Sequence, residues 1–355
     1  MQNTPTLEIN LSALTANYEL IKSKLGDRLC AAVVKANAYG LGMEGISKHL
    51  WSIGCKQFFV ATLAEAVDLR AVLPNAYIYV FQGILPNEEK EFLHHKLIPV
   101  LNSMENIERW EKVAGEKNAV LHVDTGMTRL GLTEPEALAL AADKARLKNL
   151  GIRMVMSHLA SANDGDIEKS NDQRMRFEKA FRAFPQPMAA SLANSAGVFL
   201  GAEYHYDIAR VGCALYGITP IIGDNPMQHV ATLSAPILQV RTLDRDETVG
   251  YGATYAAKKG SRIAICGIGY ADGMMRSLSN RGFAYVAGEK VPFVGRISMD
   301  MIALDVSHVP EARLAGARAE FINAKQDVNM LTSLCDTIGY EMFTRMGRRV
   351  QYRYV

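Results

Sequence analysis

Long apolar runs are missing from this chain. No stretch approaches the ~20 residues that cross a bilayer, so no membrane partner is expected. Charge of one sign is missing too. Lys+Arg number 39 against 37 Asp+Glu, a formal net charge of +2, too small to predict a nucleic-acid or membrane-surface partner. Cysteines are few: Cys30, Cys55, Cys213, Cys266 and Cys335 are scattered, odd in number and without a CxxC pair. That pattern excludes a zinc ribbon or a disulfide frame and predicts reduced thiols in a cytoplasmic protein. The start, MQNTPTLEINLSALTANY, lacks the basic segment and apolar core of a signal peptide. No GxGxxG fingerprint, P-loop or HExxH occurs, so nucleotide and zinc mechanisms have no support. What is present is a globular composition, 49% hydrophobic and 21% charged, in 355 residues, enough for one large or two ordinary domains.

Short apolar stretches alternate with helical ones from residue 11 to about 215. Eight of them read as strands: Leu29 to Val34, Phe58 to Ala61, Tyr77 to Phe81, Leu97 to Leu101, Ala119 to Val123, Ile152 to Met156, Met188 to Leu192 and Ile208 to Val211. Strands of this length separated by helices predict a parallel (β/α)8 TIM barrel, an α/β fold. The Gly- and Pro-containing loop PIIGDNP, Pro220 to Pro226, then marks a change of character. Beyond it lie short β-type runs and one clear helix, Asp327 to Thr337. The expected division is a barrel over residues 10–222 and a mainly β domain over 223–355, with residues 1–9 as candidates to join the latter.

Chemistry in such barrels sits at the C-terminal ends of the strands, and polar residues fall there. The first strand delivers Lys35 into AAVVKANAYGLG; the fifth runs into His122, Asp124, Gly126 and Arg129. The sixth ends in Ser157 and His158, the seventh in Asn194 and Ser195, the eighth in Arg210 and Gly212. Singly, each has an ordinary reading: a strand-end lysine reaching solvent, a hydrogen-bonded core histidine, a surface arginine, a helix N-cap serine. Five such ends together argue for a site. A lone amine at a buried strand end suits a general base or a Schiff-base partner. The Asn194-Ser195 and Arg210-Gly212 segments offer a hydroxyl and close backbone N–H groups suited to a phosphate. A lysine with a phosphate site points to pyridoxal 5′-phosphate (PLP).

In order along the chain, AVVKANAYG, DTGMTRLG, MSHLA, ANSAG, IARVGCALYG, VGYGATY, IGYADG and GRISMD resemble the alanine racemases, PLP enzymes built from a barrel and a β domain. The resemblance implies interconversion of L- and D-alanine, supplying D-alanine for peptidoglycan, in a homodimer with shared active sites. It makes Lys35 the Schiff-base lysine and one catalytic base, and Tyr251, reaching in from the second subunit, the other. His158 and Arg210 become the chain that tunes Tyr251, with Arg210 on the pyridine nitrogen. Tyr39, Asn194, Ser195, Gly212 and Cys213 become cofactor contacts; Arg129 and the backbone at Met299 hold the amino-acid substrate. Tyr255, Tyr270, Arg276 and Arg296 line a narrow entrance. Many relatives carry, where this chain has His122, a lysine whose carbamate orients the neighbouring arginine. Histidine forms no such carbamate, so an anion, a water or His122 itself is expected to orient Arg129. Asn163 stands where an entrance aspartate is frequent, and Arg348-Arg349-Val350-Gln351 departs from the usual C-terminal pattern. The alternatives are a serine or broad-specificity small amino-acid racemase, a PLP decarboxylase and a non-catalytic PLP-binding protein.

Overall fold

The computed structural model describes residues 4–113, 115, 117–185 and 187–355. The chain divides into two compact units. One takes in the chain through Ala13, Tyr216–Ile218 and His229–Val355; the other takes in Leu14–Leu215 and Thr219–Gln228. Against the expected boundaries, residues 10–13 and 216–218 fall with the β unit and 223–228 with the barrel unit. Residues 1–3 of the expected N-terminal addition lie outside the described residues.

Strand β1 (Thr6–Ile9) belongs to the β unit. The other unit holds β2 (Leu29–Val33), β3 (Gln57–Val60), β4 (Tyr77–Val80), β5 (Ile98–Leu101), β6 (Ala119–His122), β7 (Ile152–Met156), β8 (Ala189–Ser191) and β9 (Ile208–Val211). They form one parallel sheet in the order β8-β7-β6-β5-β4-β3-β2-β9. Its ends meet: Asp207 N donates to Ala190 O at 3.0 Å and Arg210 N to Ala193 O at 2.9 Å, closing the barrel. Alternate residues fill the interior, among them Ala31, Val33, Phe59, Tyr79, Ile98, Val100, Val120, Met154, Met156 and Ile208. Successive side chains of a strand point to opposite faces, so every second one enters the barrel and the rest meet the helices. Phe59 stacks on Tyr79 with ring centroids 4.3 Å apart and on Phe81 at 4.9 Å. Cutting Phe59 to alanine would cost about 3–5 kcal/mol.

The helices start where the sequence provides caps. Thr62 and Glu65 form a capping box at Leu63–Val72, and Thr133 with Glu136 does the same at Glu134–Ala142. The helix Glu134–Ala142 ends at Asp143, whose carboxylate accepts Arg146 N at 3.0 Å and starts Lys144–Leu150. A side chain that caps competes with the helix it interrupts.

In the β unit, the twelve-residue β10 (Ala231–Thr242) runs through the middle. It pairs antiparallel with β1, with β13 (Arg262–Cys266) and with β17 (Arg318–Ile322). β17 leads on to the hairpin β14 (Phe283–Val286) and β15 (Glu289–Pro292). Its two loop residues, Ala287 and Gly288, both have positive φ (52° and 84°), the turn that matches strand twist. β18 (Gln351–Tyr354) lies parallel to β1, and β16 (Ile302–Asp305) antiparallel to β13. A small hairpin of β11 (Glu247–Val249) and β12 (Tyr255–Ala257) stands apart from this sheet. The helix expected over 327–337 stops at Ser333, and a further one follows at Gly339–Thr344. Among the described residues, no helix is long and apolar enough to cross a membrane.

Candidate active site

Lys35 stands two residues beyond β2. Val34 N still donates to Phe59 O at 2.9 Å, and then the backbone leaves the sheet. Ala36, Asn37, Ala38 and Tyr39 all take left-handed dihedrals, with φ of 50°, 55°, 54° and 55°. Left-handed helical geometry costs L-residues about 1–2 kcal/mol each, and it normally occurs singly. Four in succession are a strained turn that only its surroundings can hold. Those surroundings are hydrogen bonds: Ala38 N to Val34 O at 2.8 Å, Gly40 N to Ala36 O at 2.8 Å, and Met43 N to Asn37 Oδ1 at 2.8 Å. The Lys35 ammonium sits 5.7 Å from the Phe81 ring centroid. Burial first, and the Arg129 guanidinium second, lower the Lys35 amine from its ordinary 10.5, against an opposing pull from Glu65.

Arg210, on β9, is fully buried and held by acceptors from neighbouring strand ends. Nη1 donates to Ser191 Oγ at 2.5 Å; Nη2 donates to Ser157 O at 2.5 Å and Leu192 O at 3.3 Å, and lies 3.4 Å from His158 Nδ1. Its Nε is buried and has no partner. Burial draws the guanidinium down to about 9, still above neutrality, so it stays charged. Burial and then Arg210 hold His158 well below its ordinary 6.5, so it is neutral. Ser195 accepts Gly212 N at 3.0 Å and Ala214 N at 3.4 Å; it is not a helix cap. The cap belongs to Asn194, whose Oδ1 accepts Gly197 N at 2.9 Å. Burial raises the Cys213 thiol above its ordinary value.

Gly212 touches the ring end of Tyr39: a Cβ there would lie 2.5 Å from Tyr39 Oη and 2.9 Å from Cζ. The Gly212→Ala variant therefore has to push Tyr39 aside.

His122 ends β6 and does not reach for Arg129 with its Nδ1, which lies 2.8 Å from Asn102 Oδ1. The Asn102 amide nitrogen donates to Phe81 O at 2.8 Å and Val100 O at 3.0 Å, so its oxygen must face the imidazole. That fixes the proton on His122 Nδ1. Arg129 itself is exposed. Burial first, then Arg210, takes His122 down to about 3. An unfolded histidine binds its proton near 6.5, so between the two values the unfolded chain holds more protons and stability falls as pH falls. Urea unfolding at pH 7 and pH 5 checks this: His122→Gln should lose less stability over that interval than the wild type.

Tyr251, Tyr255, Tyr270, Arg276, Arg296 and Met299 lie in the β unit. Tyr251 is 72% exposed on the β11–β12 loop, between Gly250 and Gly252, both at positive φ (74° and 72°). A Cβ at Gly252 would meet Arg296 Nη1 at 3.1 Å, so the Arg296 guanidinium lies along this turn. Tyr255 Oη donates to Asp305 Oδ2 at 3.4 Å. Tyr270 and Met299 are brought together: Tyr270 N donates to Ser298 O at 3.1 Å and Ala271 N to Met299 O at 3.0 Å. Arg349 fastens both loops, donating to buried Asp272 at 2.9 and 3.1 Å and to Asp300 at 2.7 Å. Arg276 opens the short helical turn Arg276–Leu278. Asn163 bonds Asp164 at 2.8 Å.

Residues 9–220 match the family described as "Alanine racemase, N-terminal domain", and residues 230–354 match "Alanine racemase, C-terminal domain". The chain belongs to the alanine racemase family. An alanine racemase of Rhodospirillum rubrum is 46% identical over 360 residues, covering 99% of this chain and 96% of that one. One of Rickettsia rickettsii is 41% identical and covers 99% of both. Among solved structures, alanine racemase from Bartonella henselae with covalently bound pyridoxal phosphate superposes with a TM-score of 0.93 at 36% identity, covering 99% of each chain. The biosynthetic alanine racemase of Pseudomonas aeruginosa gives 0.91 at 33%, covering 100% of each.

The donor set fits PLP. A buried guanidinium donor lacks an acceptor at Arg210 Nε, which a pyridine nitrogen supplies. The Ser195 hydroxyl, which accepts Gly212 N and Ala214 N and keeps its own proton to donate, suits its phosphate, and Lys35 offers the amine. Sequence reasoning missed three supporting residues. Ser191 receives Arg210 and donates to Ile208 O at 2.5 Å; buried Gln173 donates to His158 O at 2.9 Å and accepts Ala160 N at 2.8 Å. The third, Glu65, showed only as the end of a Thr-x-x-Glu capping box.

Proposed function

We propose that this chain interconverts L-alanine and D-alanine with PLP held at the C-terminal end of the barrel, using Lys35 and Tyr251 as its two bases. The observation that carries the reading is the buried, charged Arg210 whose Nε lacks an acceptor. When bound, PLP supplies a carbonyl that condenses with an amine and a conjugated ring that accepts electron density. Lys35 provides the anchoring amine and, with its lowered pKa, accepts or returns the α-proton on one face of the substrate. Inversion needs a second group on the opposite face. Tyr251 fills that role in a homodimer with shared active sites; its exposure at the tip of a glycine-flanked turn suits a residue that serves the other subunit.

His158, neutral and with Nδ1 toward Arg210, carries its proton on Nε2 and offers it to the Tyr251 phenolate, stabilising the charged base. Arg210 is a donor with no proton to give up, so a pyridine nitrogen bound at its Nε would stay unprotonated. That restrains electron withdrawal and disfavours transamination. Ser195, Gly212, Tyr39, Cys213 and Asn194 hold the phosphate end. Arg129 and the Met299 backbone hold the substrate carboxylate and the cofactor hydroxyl, and Tyr255, Tyr270, Arg276 and Arg296 limit substrate size. The product D-alanine serves peptidoglycan. A panel of alanine and serine enantiomers on the PLP-loaded protein, read with D-amino-acid oxidase, tests the reading. Alanine should turn over fastest; a faster serine reaction points to the alternative, and no turnover of either overturns racemisation.

A further inference from the structure

We infer that Glu65 is a positioning residue for Lys35, holding the left-handed turn that aims the lysine. The two carboxylate oxygens do different things. Oε2 accepts Ala61 N at 2.8 Å and Thr62 N at 3.4 Å, which closes the capping box at the end of β3. Oε1 accepts Ala36 N at 2.6 Å. Ala36 is the residue directly after Lys35 and the first of the four with left-handed dihedrals. One side chain therefore ties the strained turn of the β2 end to the neighbouring strand and helix.

The capping duty alone does not require this. A capping box uses the glutamate on its own N-cap backbone, and one oxygen is enough for that. The other oxygen reaches 29 residues back along the chain to the turn. A bond from a carboxylate to a backbone N–H is among the stronger hydrogen bonds, because the acceptor is charged. It acts on a backbone whose preferred relaxation is to leave the left-handed region. Without Glu65, Ala36 N–H loses its acceptor and the turn loses the restraint nearest to Lys35. The Lys35 amine would then sample directions in which it is misplaced for proton transfer, and small misplacements of reacting groups are costly in rate. The negative charge also opposes the lowering of the Lys35 pKa by burial and Arg129.

Rates and backbone exchange on the PLP-loaded full chain test this inference, which rests on Lys35 being the reactive lysine. Three variants are compared with wild type: Glu65→Ala, Glu65→Gln and Thr62→Ala. Thr62→Ala removes the other half of the capping box and leaves the Glu65 carboxylate in place. Hydrogen exchange of a peptide spanning residues 34–42 should quicken about tenfold or more in Glu65→Ala, the effect of losing one charged hydrogen bond. In the same variant kcat should fall about 10–100-fold while KM for alanine changes little. Glu65→Gln keeps one acceptor and should stand between Glu65→Ala and wild type in both readouts. Thr62→Ala should leave both near wild type.

The inference is overturned if Thr62→Ala reproduces the glutamate variants, or if exchange over 34–42 is unchanged in them. It is also overturned if the loss falls on KM alone. Should Glu65→Ala not fold, the ordering of Glu65→Gln against Thr62→Ala decides the matter. Failure of the Lys35 reading would show separately, as racemisation that survives Lys35→Ala, because exchange of the turn does not depend on the chemistry.

Discussion

Lys35→Ala is expected to lose racemisation by about 10⁴-fold or more, because one substitution removes both the anchoring amine and a general base. The burial that lowers the Lys35 pKa enlarges the neutral, nucleophilic fraction of the amine relative to an exposed lysine. The charged or histidine neighbours do not take over: Arg210 stays protonated, and His158 and His122 are committed to Arg210 and Asn102. Borohydride reduction of the PLP-loaded wild type should fix the cofactor mass on the peptide containing Lys35. The same treatment of Lys35→Ala should leave that peptide unmodified. Cofactor mass found on another lysine of the wild type would refute the assignment.

Tyr251→Phe should lower kcat about 10²–10⁴-fold, the usual worth of a positioned acid or base. The loss must be equal in kcat/KM for L→D and D→L conversion, since the enantiomers have the same free energy in water. Proton exchange separates the faces. In deuterium oxide the variant should still exchange the α-hydrogen of the one enantiomer that Lys35 serves, and should lose exchange from the other. Equal exchange from both enantiomers would mean that one base works both faces, and the two-base reading would fall. Phenylalanine keeps the ring and drops only the hydroxyl, and the side chain is 72% exposed, so folding is not at stake.

Much of the barrel was legible because its strands are short, mainly apolar and separated by helices, several of which have explicit caps. Ile152 to Met156 and Ile208 to Val211 were bounded as observed. The β unit was legible only in part. Strands β1, β11, β17 and β18 read TLEI, ETV, RAEFI and QYRY, half-polar segments without a run of apolar residues. Sheet partners far along the chain, not local pattern, make them strands. In the site, Lys35, His158, Ser195 and Arg210 stood out because the strand ends were predictable. The turn at Ala36–Tyr39 did not, since neither alanine nor tyrosine signals positive φ. Asn102, Gln173 and Ser191 were equally silent: a buried polar side chain and an exposed one look the same until the fold says which is covered.

The pairing of β1 with β10 and β18 bears on synthesis at the ribosome. Thr6–Ile9 emerges ahead of every other described strand, yet its parallel partner is Gln351–Tyr354. At ordinary translation rates of about 5–20 residues per second, that strand waits roughly 20–70 s for its second neighbour. All eight barrel strands are complete by Val211, so the barrel can close while the β sheet is still missing β10 through β18. During that interval a nascent chain carries a folded barrel and an unpaired strand, an opening for strand exchange between neighbouring nascent chains.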